Sequence, residues 1–484
     1  LWRVFATLLL GALVALGGCG TAPARPVRGS GPALTLPLNG DFDATLHAPW
    51  FGPVSTRFTA APTEEGFKAN TRPGVAWDMI GGFEGFLGPV FTPFLFPSGM
   101  ILTWNSTLPT TDRPGEGTVG IGQLSSLRVR TRMTGPDRPV EILLKDGRVV
   151  ALLTLAPAHS NSGPTTNYNE LASRVSSAIR GTIYDPDLAS SSQVRDYIDD
   201  LTAGAAKATD DLEFLFAAGV SGRAHIKFSQ PLIYRPGNPA AESTLLAAYP
   251  SMARPEHVSF DESTGIATLH VDAFVKADAV DRAFEEILAK HPRGIILDLH
   301  NCVGVEVASL RAAAWVIEKP TDAGTFFGRD QRSAVLHGNI AQVPSVTVCD
   351  AASFAALQKA LATRGAARVT VMPDPRRYCG PVAVLTSKRT SSSAEPLVWL
   401  LKQSGRAKVY GEATAGRPLL SREVDVGQGW VLRIASQDFA PPNGDRISGR
   451  GVGPDIRVDK GAAAGRAAAD LLRAAGEVPP NSSE

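Results

Sequence analysis

A chain of 484 residues is long enough for two or three domains and at least one full-sized hydrophobic core. Its 44% hydrophobic content reads as globular, and 48 Lys and Arg against 47 Asp and Glu leave a net charge of +1, which gives no electrostatic footprint for nucleic acid or an anionic membrane surface. The four cysteines fit neither a zinc spacing nor a redox pair, so neither a metal nor another cofactor is expected.

The chain opens on LWRVFATLLLGALVALGGCG, with Arg3, an apolar stretch from about Val4 to Leu16, and then small residues. Residues 1–18 read as a signal peptide, too short for a comfortable membrane span. Leu16-Gly17-Gly18-Cys19 resembles the lipobox of bacterial lipoproteins, which implies cleavage before Cys19 and lipid attachment there. The expected location is the bacterial cell envelope, lipid-anchored; with Gly20 next, it is the outer membrane facing the periplasm if the cell is Gram-negative. Residues 19–33, rich in Pro, Gly and Ala, read as a tether.

From 34 to 157 the chain is rich in Gly, Pro and Thr and carries alternating segments such as SSLRVRTRM and DGRVVALLTL, the pattern of a β-rich N-terminal domain of unassigned role. APAHSNSGPTTN marks a boundary. A helical segment follows over 168–224, with Leu171, Val175 and Ile179 at four-residue spacing, a break at Tyr184-Asp185-Pro186, and a second run through Val194, Tyr197, Ile198 and Leu201. The remaining core, 225–474, alternates strand and helix. GIATLHVDAF is a strand, AVDRAFEEILAKH a helix with Val280, Phe284, Ile287 and Leu288 on one face, GIILDLHNC a buried strand and ASLRAAAWVI a helix. This alternation predicts an α/β fold with a largely parallel sheet flanked by helices.

In KRTSSSAEPLVWLL, Lys388 to Leu401, three serines and a glutamate stand between the apolar run of GPVAVLTS and a helix built on Leu397, Val398, Leu400 and Leu401, with Gly405 placed to stop it. A serine there can simply cap the helix. The strand-to-helix turn also lies at the carboxyl end of a strand, where open α/β sheets place their chemistry, and a helix N-terminus offers N–H groups to a developing oxyanion. Cys302, just after a strand, is either a reactive thiol or a small buried residue. With Cys349 and Cys379 it makes an odd count, which outside the cytoplasm leaves at least one thiol unpaired within the chain.

The order GIATLHVDAF, GIILDLHNCVG, YCGPVAVLTSKRTSSSAE, GRAKVYGEATAGR, GVGPDIRV resembles the tail-specific, or C-terminal-processing, serine peptidase family over about Tyr168 to Val458. The resemblance implies a serine peptidase core acting on a peptide or protein substrate. In that family the nucleophile lies three residues before the acidic residue of this turn, which from Glu395 gives Ser392. It also implies an oxyanion hole from the backbone N–H of Ser393 and from a glycine turn, here DLHNCVGV, with Gly304 at the first glycine, Val305 at the second and His300 where Arg is common. The lysine base of one branch would fall on Arg417, which stays protonated and cannot take a proton. The branch that includes the tricorn core protease instead uses a histidine at the end of the helical segment, which gives His225, with Ala224 where tricorn-type members have Ser. His270 and His300 are the next candidates for the base, and Asp438 and Asp445 for its acidic partner. About 40 residues separate His225 from the first core strand, too few for the internal PDZ domain that many relatives carry there. The resemblance therefore implies a lipid-anchored serine peptidase with an acyl-enzyme on Ser392 and His225 as general base. The alternative is a non-catalytic binding protein on the same scaffold, as in the interphotoreceptor retinoid-binding proteins, and Val305, His300 and Ala224 count toward it.

Overall fold

The structure is a computed structural model that describes residues 40–47, 53–63, 66–70, 101–106, 115–121, 126–131, 140–143, 149–157, 166–208, 211, 214, 218, 231–237, 256–274, 276–302, 307–340, 343–444 and 446–477. Two compact units emerge. The first takes the chain up to Gly181 together with 187–254 and Glu423–Ile434, and the second takes Thr182–Pro186, Pro255–Arg422 and Ala435–Glu484.

In the first unit, strands β1 (Gly40–His47), β2 (Val54–Thr63), β3 (Gly66–Asn70), β4 (Ile101–Ser106), β5 (Gly115–Ile121), β6 (Ser126–Thr131), β7 (Val140–Leu143) and β8 (Val149–Pro157) each pair antiparallel with the next. β8 then returns to β1 in the register Phe42↔Pro157 to His47↔Leu152, so the meander closes on itself. Among the described residues, closure leaves this ring no unpaired edge to recruit another chain. Polar cross-strand pairs reinforce the ring, among them Thr45 with Ser55 at 2.7 Å and a two-bond Arg57–Asp43 fork at 2.7 and 3.0 Å.

Helix α1 (Tyr168–Thr182) buries Leu171, Val175 and Ile179, the residues whose spacing predicts it. Helix α2 (Ser192–Ala205) buries Val194, Tyr197, Ile198 and Leu201 and begins at Ser191, whose hydroxyl accepts from the Val194 N–H at 3.3 Å. Strand β9 (Leu232–Pro236) falls inside the segment that the sequence assigns to the core, yet it pairs with β2 and with Val431–Arg433, all in the first unit. Local periodicity carries no record of such long-range pairing.

The second unit holds β10 (Glu256–Asp261), β11 (Ile266–Val271), helix α3 (Ala277–Leu288), β12 (Gly294–Asp298), α4 (Ser309–Ala314), β13 (Thr321–Gly328), β14 (Ser345–Val348), α5 (Ala351–Arg364), β15 (Ala366–Val371), β16 (Val382–Thr386), α6 (Ala394–Gln403), β17 (Ala407–Gly411), the ends of β18 (Leu420–Gly427) and β19 (Trp430–Ala440), β20 (Ile456–Arg457) and α7 (Lys460–Glu477). Its main sheet runs β10-β11-β12-β16-β17-β20 and is parallel except for the β10–β11 hairpin. β16 is buried along its whole length, as a parallel strand covered on both faces must be. Alternation sorts the side chains. Leu269, Ile295, Leu297, Val382 and Val384 join a core with Phe284 of α3, Leu310 of α4 and Leu397 of α6, whereas Ile266, Ile296, Ala383 and Leu385 pack against Ala463, Ala467 and Leu471 of α7. Beside this sheet β13 pairs antiparallel with β15 and with the end of β19, and β14 joins β15 in parallel. The strand and helix reading of the sequence did not resolve this second set of strands.

Arg311 of α4 lies buried in that core and is fully employed. Its guanidinium pairs with Asp281 at 2.5 Å and Asp374 at 2.5 Å, while the Trp315 indole N–H donates to the same Asp281 at 2.7 Å. Together these bonds lock α3, α4 and the loop after β15, and losing one partner would strand a buried charge.

Candidate active site

Strand β16 delivers the chain to the sequence Ser387–Ser393, and α6 leads it away. Ser392 takes a left-handed backbone conformation, φ 59°, one of three non-glycine residues with positive φ among those described. For a residue with a Cβ this costs free energy and persists only where the surroundings enforce it, a pattern that clusters at functional sites. The enforcing contacts are visible. The Ser392 N–H donates to the Arg417 carbonyl at 2.9 Å, and its hydroxyl donates to the Leu419 carbonyl at 2.8 Å. A main-chain carbonyl cannot accept the proton outright, so nucleophilic attack by this oxygen requires the hydroxyl to rotate toward a base.

The turn is stitched to its neighbour, the turn that follows β12. Thr390 Oγ1 donates to the Leu299 carbonyl at 2.7 Å, Ser387 Oγ donates to the His300 carbonyl, and the Ser391 N–H donates to the Cys302 carbonyl at 3.0 Å. At the far end Ser309 Oγ, at the first residue of α4, donates to the Ser393 carbonyl at 2.6 Å. All three hydroxyl donors are buried, where a satisfied bond is worth most and a lost one costs most. Ser393 precedes α6, so its N–H faces no helical acceptor and can meet an anion, whereas the Glu395 N–H donates to the Ser392 carbonyl at 3.0 Å and Pro396 has no N–H to offer.

Glu395 has a structural task. Fully buried in the first turn of α6, it accepts from Thr414 Oγ1 at 2.6 Å, the Gly416 N–H at 2.7 Å and the Arg417 N–H at 2.6 Å. Burial pushes its carboxyl up to about 7 against the pull of those three donors. The carboxyl thereby pins the loop whose carbonyls hold Ser392. The same loop donates from the Ala415 N–H to the Thr390 carbonyl at 2.8 Å and accepts at Gly416 from the Gly449 N–H at 2.7 Å. Gly451 is obligatory beside it, since φ is 75° and an added Cβ would lie 2.2 Å from the Thr414 carbonyl oxygen.

At the end of β12 lies a second polar cluster. Asp298 accepts from His270 Nδ1 at 3.0 Å and from His300 Nδ1 at 2.8 Å, and also from the His300 N–H at 3.1 Å. Burial pushes its carboxyl up, but the bonds from the two imidazoles outweigh this and hold it well below the usual carboxylate range. His300 Nε2 is buried and without a hydrogen-bond partner among the described residues. His257, opposite His270 in the β10–β11 register, stacks on it at 4.6 Å. Alternation puts Asp298 and His270 on the α7 side of the sheet, opposite the face that α6 covers.

Of the residues singled out from the sequence, the structure brings Ser392, Ser393 and Glu395 into one turn and joins His270 to His300. His225, Ala224, Gly304, Val305, Cys19 and Asp445 lie outside the described residues. Asp438 is committed to Ser448 and to the Phe439 N–H. Cys302 is the buried small residue of the two readings, and burial pushes its thiol well up, so it is not a thiolate at neutral pH. Arg417 is exposed while its backbone is bonded on both sides. Ser309, Thr414 and Leu419 carry parts of the site that the sequence did not single out, because their contributions are hydrogen bonds to or from atoms distant in sequence.

Residues 265–458 match the model of Peptidase family S41. A 79-residue stretch is 34% identical to the "C-terminal processing peptidase, chloroplastic" of Tetradesmus obliquus, covering 16% of this chain and 17% of that protein. A 78-residue stretch is 28% identical to a "Probable CtpA-like serine protease" of Staphylococcus aureus, covering 16% of each chain. The chain thus spans less than a fifth of the length of these relatives. Among solved structures, a lipoprotein from Streptococcus agalactiae aligns with a TM-score of 0.42 at 14% identity, over 65% of this chain and 99% of that one.

Proposed function

We propose that the S41-like segment of this chain is a working serine-type peptidase that cleaves peptide bonds through an acyl-enzyme on Ser392. The observation that carries this is the left-handed, loop-clamped Ser392 at the start of a buried helix, three residues before Glu395. His225 accepts the Ser392 hydroxyl proton as its oxygen bonds to the scissile carbonyl carbon, and the C–N bond breaks as that proton passes to the leaving amine. Water, deprotonated by the same imidazole, then hydrolyses the ester and returns the proton to Ser392. The backbone N–H of Ser393 and the turn at Gly304 hold the oxyanion. Arg417, permanently charged, plays no part in proton transfer.

The experiment is labelling with a fluorophosphonate probe. The wild type is expected to label and Ser392→Ala to remain unlabelled. Folded wild-type protein that fails to label supports the binding-protein reading, which the bond from the Ser392 hydroxyl to Leu419 favours. We further propose attachment to the cell envelope through lipid on Cys19, supported by the Leu-Gly-Gly-Cys sequence. Cys19→Ala is expected to move the protein from the membrane to the soluble fraction, and a wild type that is already soluble would exclude the anchor.

A further inference from the structure

We infer that Arg417 is a specificity-determining residue that receives a carboxylate of the substrate peptide close to the scissile bond, an inference that rests on the peptidase reading of Ser392. Its main chain is fixed to the nucleophile from both sides. The Arg417 N–H donates to Glu395 at 2.6 Å and its carbonyl accepts from the Ser392 N–H at 2.9 Å, so this residue is bonded to the main chain of the nucleophile, two residues before the Leu419 carbonyl that holds the Ser392 hydroxyl. The side chain is nevertheless exposed and makes no ion pair among the described residues.

Among the described residues the guanidinium has no ion-pair partner, and Glu395 acts on it only through space. Glu395, the carboxylate bonded to this loop, is buried and spends its oxygens on Thr414 and on two backbone N–H groups rather than on the guanidinium. Glu412, in the preceding turn, lies 3.5 Å from Lys388. Two further arginines attach to the same loop through their neighbours. Arg389 precedes Thr390, whose carbonyl accepts from Ala415, and Arg450 follows Gly449, whose N–H donates to Gly416. Both are exposed and without an ion pair among the described residues. Arg417, Arg389 and Arg450 thus stand on segments bonded to the nucleophile turn or its clamping loop, exposed and without an ion pair among the described residues. A guanidinium fork matches a carboxylate in shape and charge, and a substrate lying over the turn would exclude the water that otherwise weakens such a pair. The matching ligand is an acidic side chain, or the free carboxylate of a peptide end, within a residue or two of the bond that is cut.

The test uses the full chain and synthetic peptides around a cleavage site mapped by mass spectrometry. Glu, Gln and Lys versions of each flanking position are compared, as are free-acid and amidated ends, for the wild type, Arg417→Met, Arg417→Lys and Arg417→Glu. The wild type is expected to favour the carboxylate about tenfold in kcat/KM, the scale of one charge-assisted contact. Arg417→Met should erase the ratio, Arg417→Lys keep part of it, and Arg417→Glu invert it in favour of Lys. Because the ratio is internal to each variant, a general loss of activity cancels. The Glu/Gln arm against the acid/amide arm tells a side chain from a chain end. A wild type that labels at Ser392 but cleaves without regard to charge overturns the inference alone, as does a preference that survives in Arg417→Met. A wild type that neither labels nor cleaves removes the peptidase reading and this inference together.

Discussion

Two neighbouring turns, after β12 and after β16, solve the same problem with different chemistry. The turn after β12 is organised by ionisable side chains, with Asp298 holding both His270 and His300. The turn after β16 is held by hydroxyls and main-chain groups from Ser387, Thr390, Ser391 and Ser309. Hydroxyl and amide bonds do not change with pH over the range in which proteins operate, whereas imidazole and carboxylate do. Ser392 thus sits in the turn held by groups indifferent to protonation, and only Glu395, behind it, brings a titrating group to bear.

The comparison breaks most visibly if the base comes from the turn after β12. His225→Ala is expected to slow fluorophosphonate acylation by about a hundredfold or more, the usual contribution of a positioned general base, and His300→Ala by far less. The reverse outcome would make the Asp298–His300 pair the source of the base. Asp298 and His270 lie on the α7 side of the sheet, opposite the face that α6 covers, which disfavours that outcome.

Next in size is Glu395→Gln, which leaves an amide N–H₂ among donors and should lower stability by about 2 kcal/mol, read by denaturant unfolding. The pH dependence sharpens the point. With a folded value near 7 against 4.5 for the unconstrained side chain, the fold favours the protonated form, so this group's contribution is complete below about 4.5 and declines as pH rises to about 7. The slope should vanish in Glu395→Gln. Asp298→Asn should have the opposite signature at a cost of about 1–2 kcal/mol. Its carboxyl is held below the ordinary 3.8, so its contribution is present above that pH and is lost only in stronger acid. Wild type and variant should therefore converge at low pH.

The smallest effect separates structure from positioning. Ser309→Ala removes one buried bond and should cost about 1 kcal/mol of stability. If Ser309 merely supports the fold, acylation of the folded protein is unchanged; if it registers the two turns, kcat falls while KM holds.

The choice of Ser392 among three serines came from the resemblance to the peptidase family, whereas the strand-to-helix turn that carries Ser391, Ser392 and Ser393 was legible from a local pattern, an apolar strand and a polar turn before an apolar helix. The purpose of Glu395 was not, since its partners lie about 20 residues away and two of them are backbone N–H groups, which every residue but proline carries. The β-rich character of 34–157 could be read from alternation. That β8 closes onto β1 could not, because pairing across more than a hundred residues leaves no mark on either strand. His257 is an instructive omission. It faces His270 across a hairpin of known parity, and two-residue alternation on both sides of Gly265 would have placed them on one face.

The left-handed backbone at Ser392 sets chemistry and durability against each other at one residue. Glycine would occupy that conformation without steric cost, whereas a side chain there raises the energy of the folded state by about 1 kcal/mol or more. A glycine at 392 would relieve the backbone, but it has no oxygen to offer to Leu419 or to a substrate. Alanine keeps the strain and also lacks the oxygen, so the two inactive residues differ from each other in stability though not in function. At this position the backbone carries strain that glycine would relieve, offset in part by the bond from the Ser392 hydroxyl to the Leu419 carbonyl that glycine would lose.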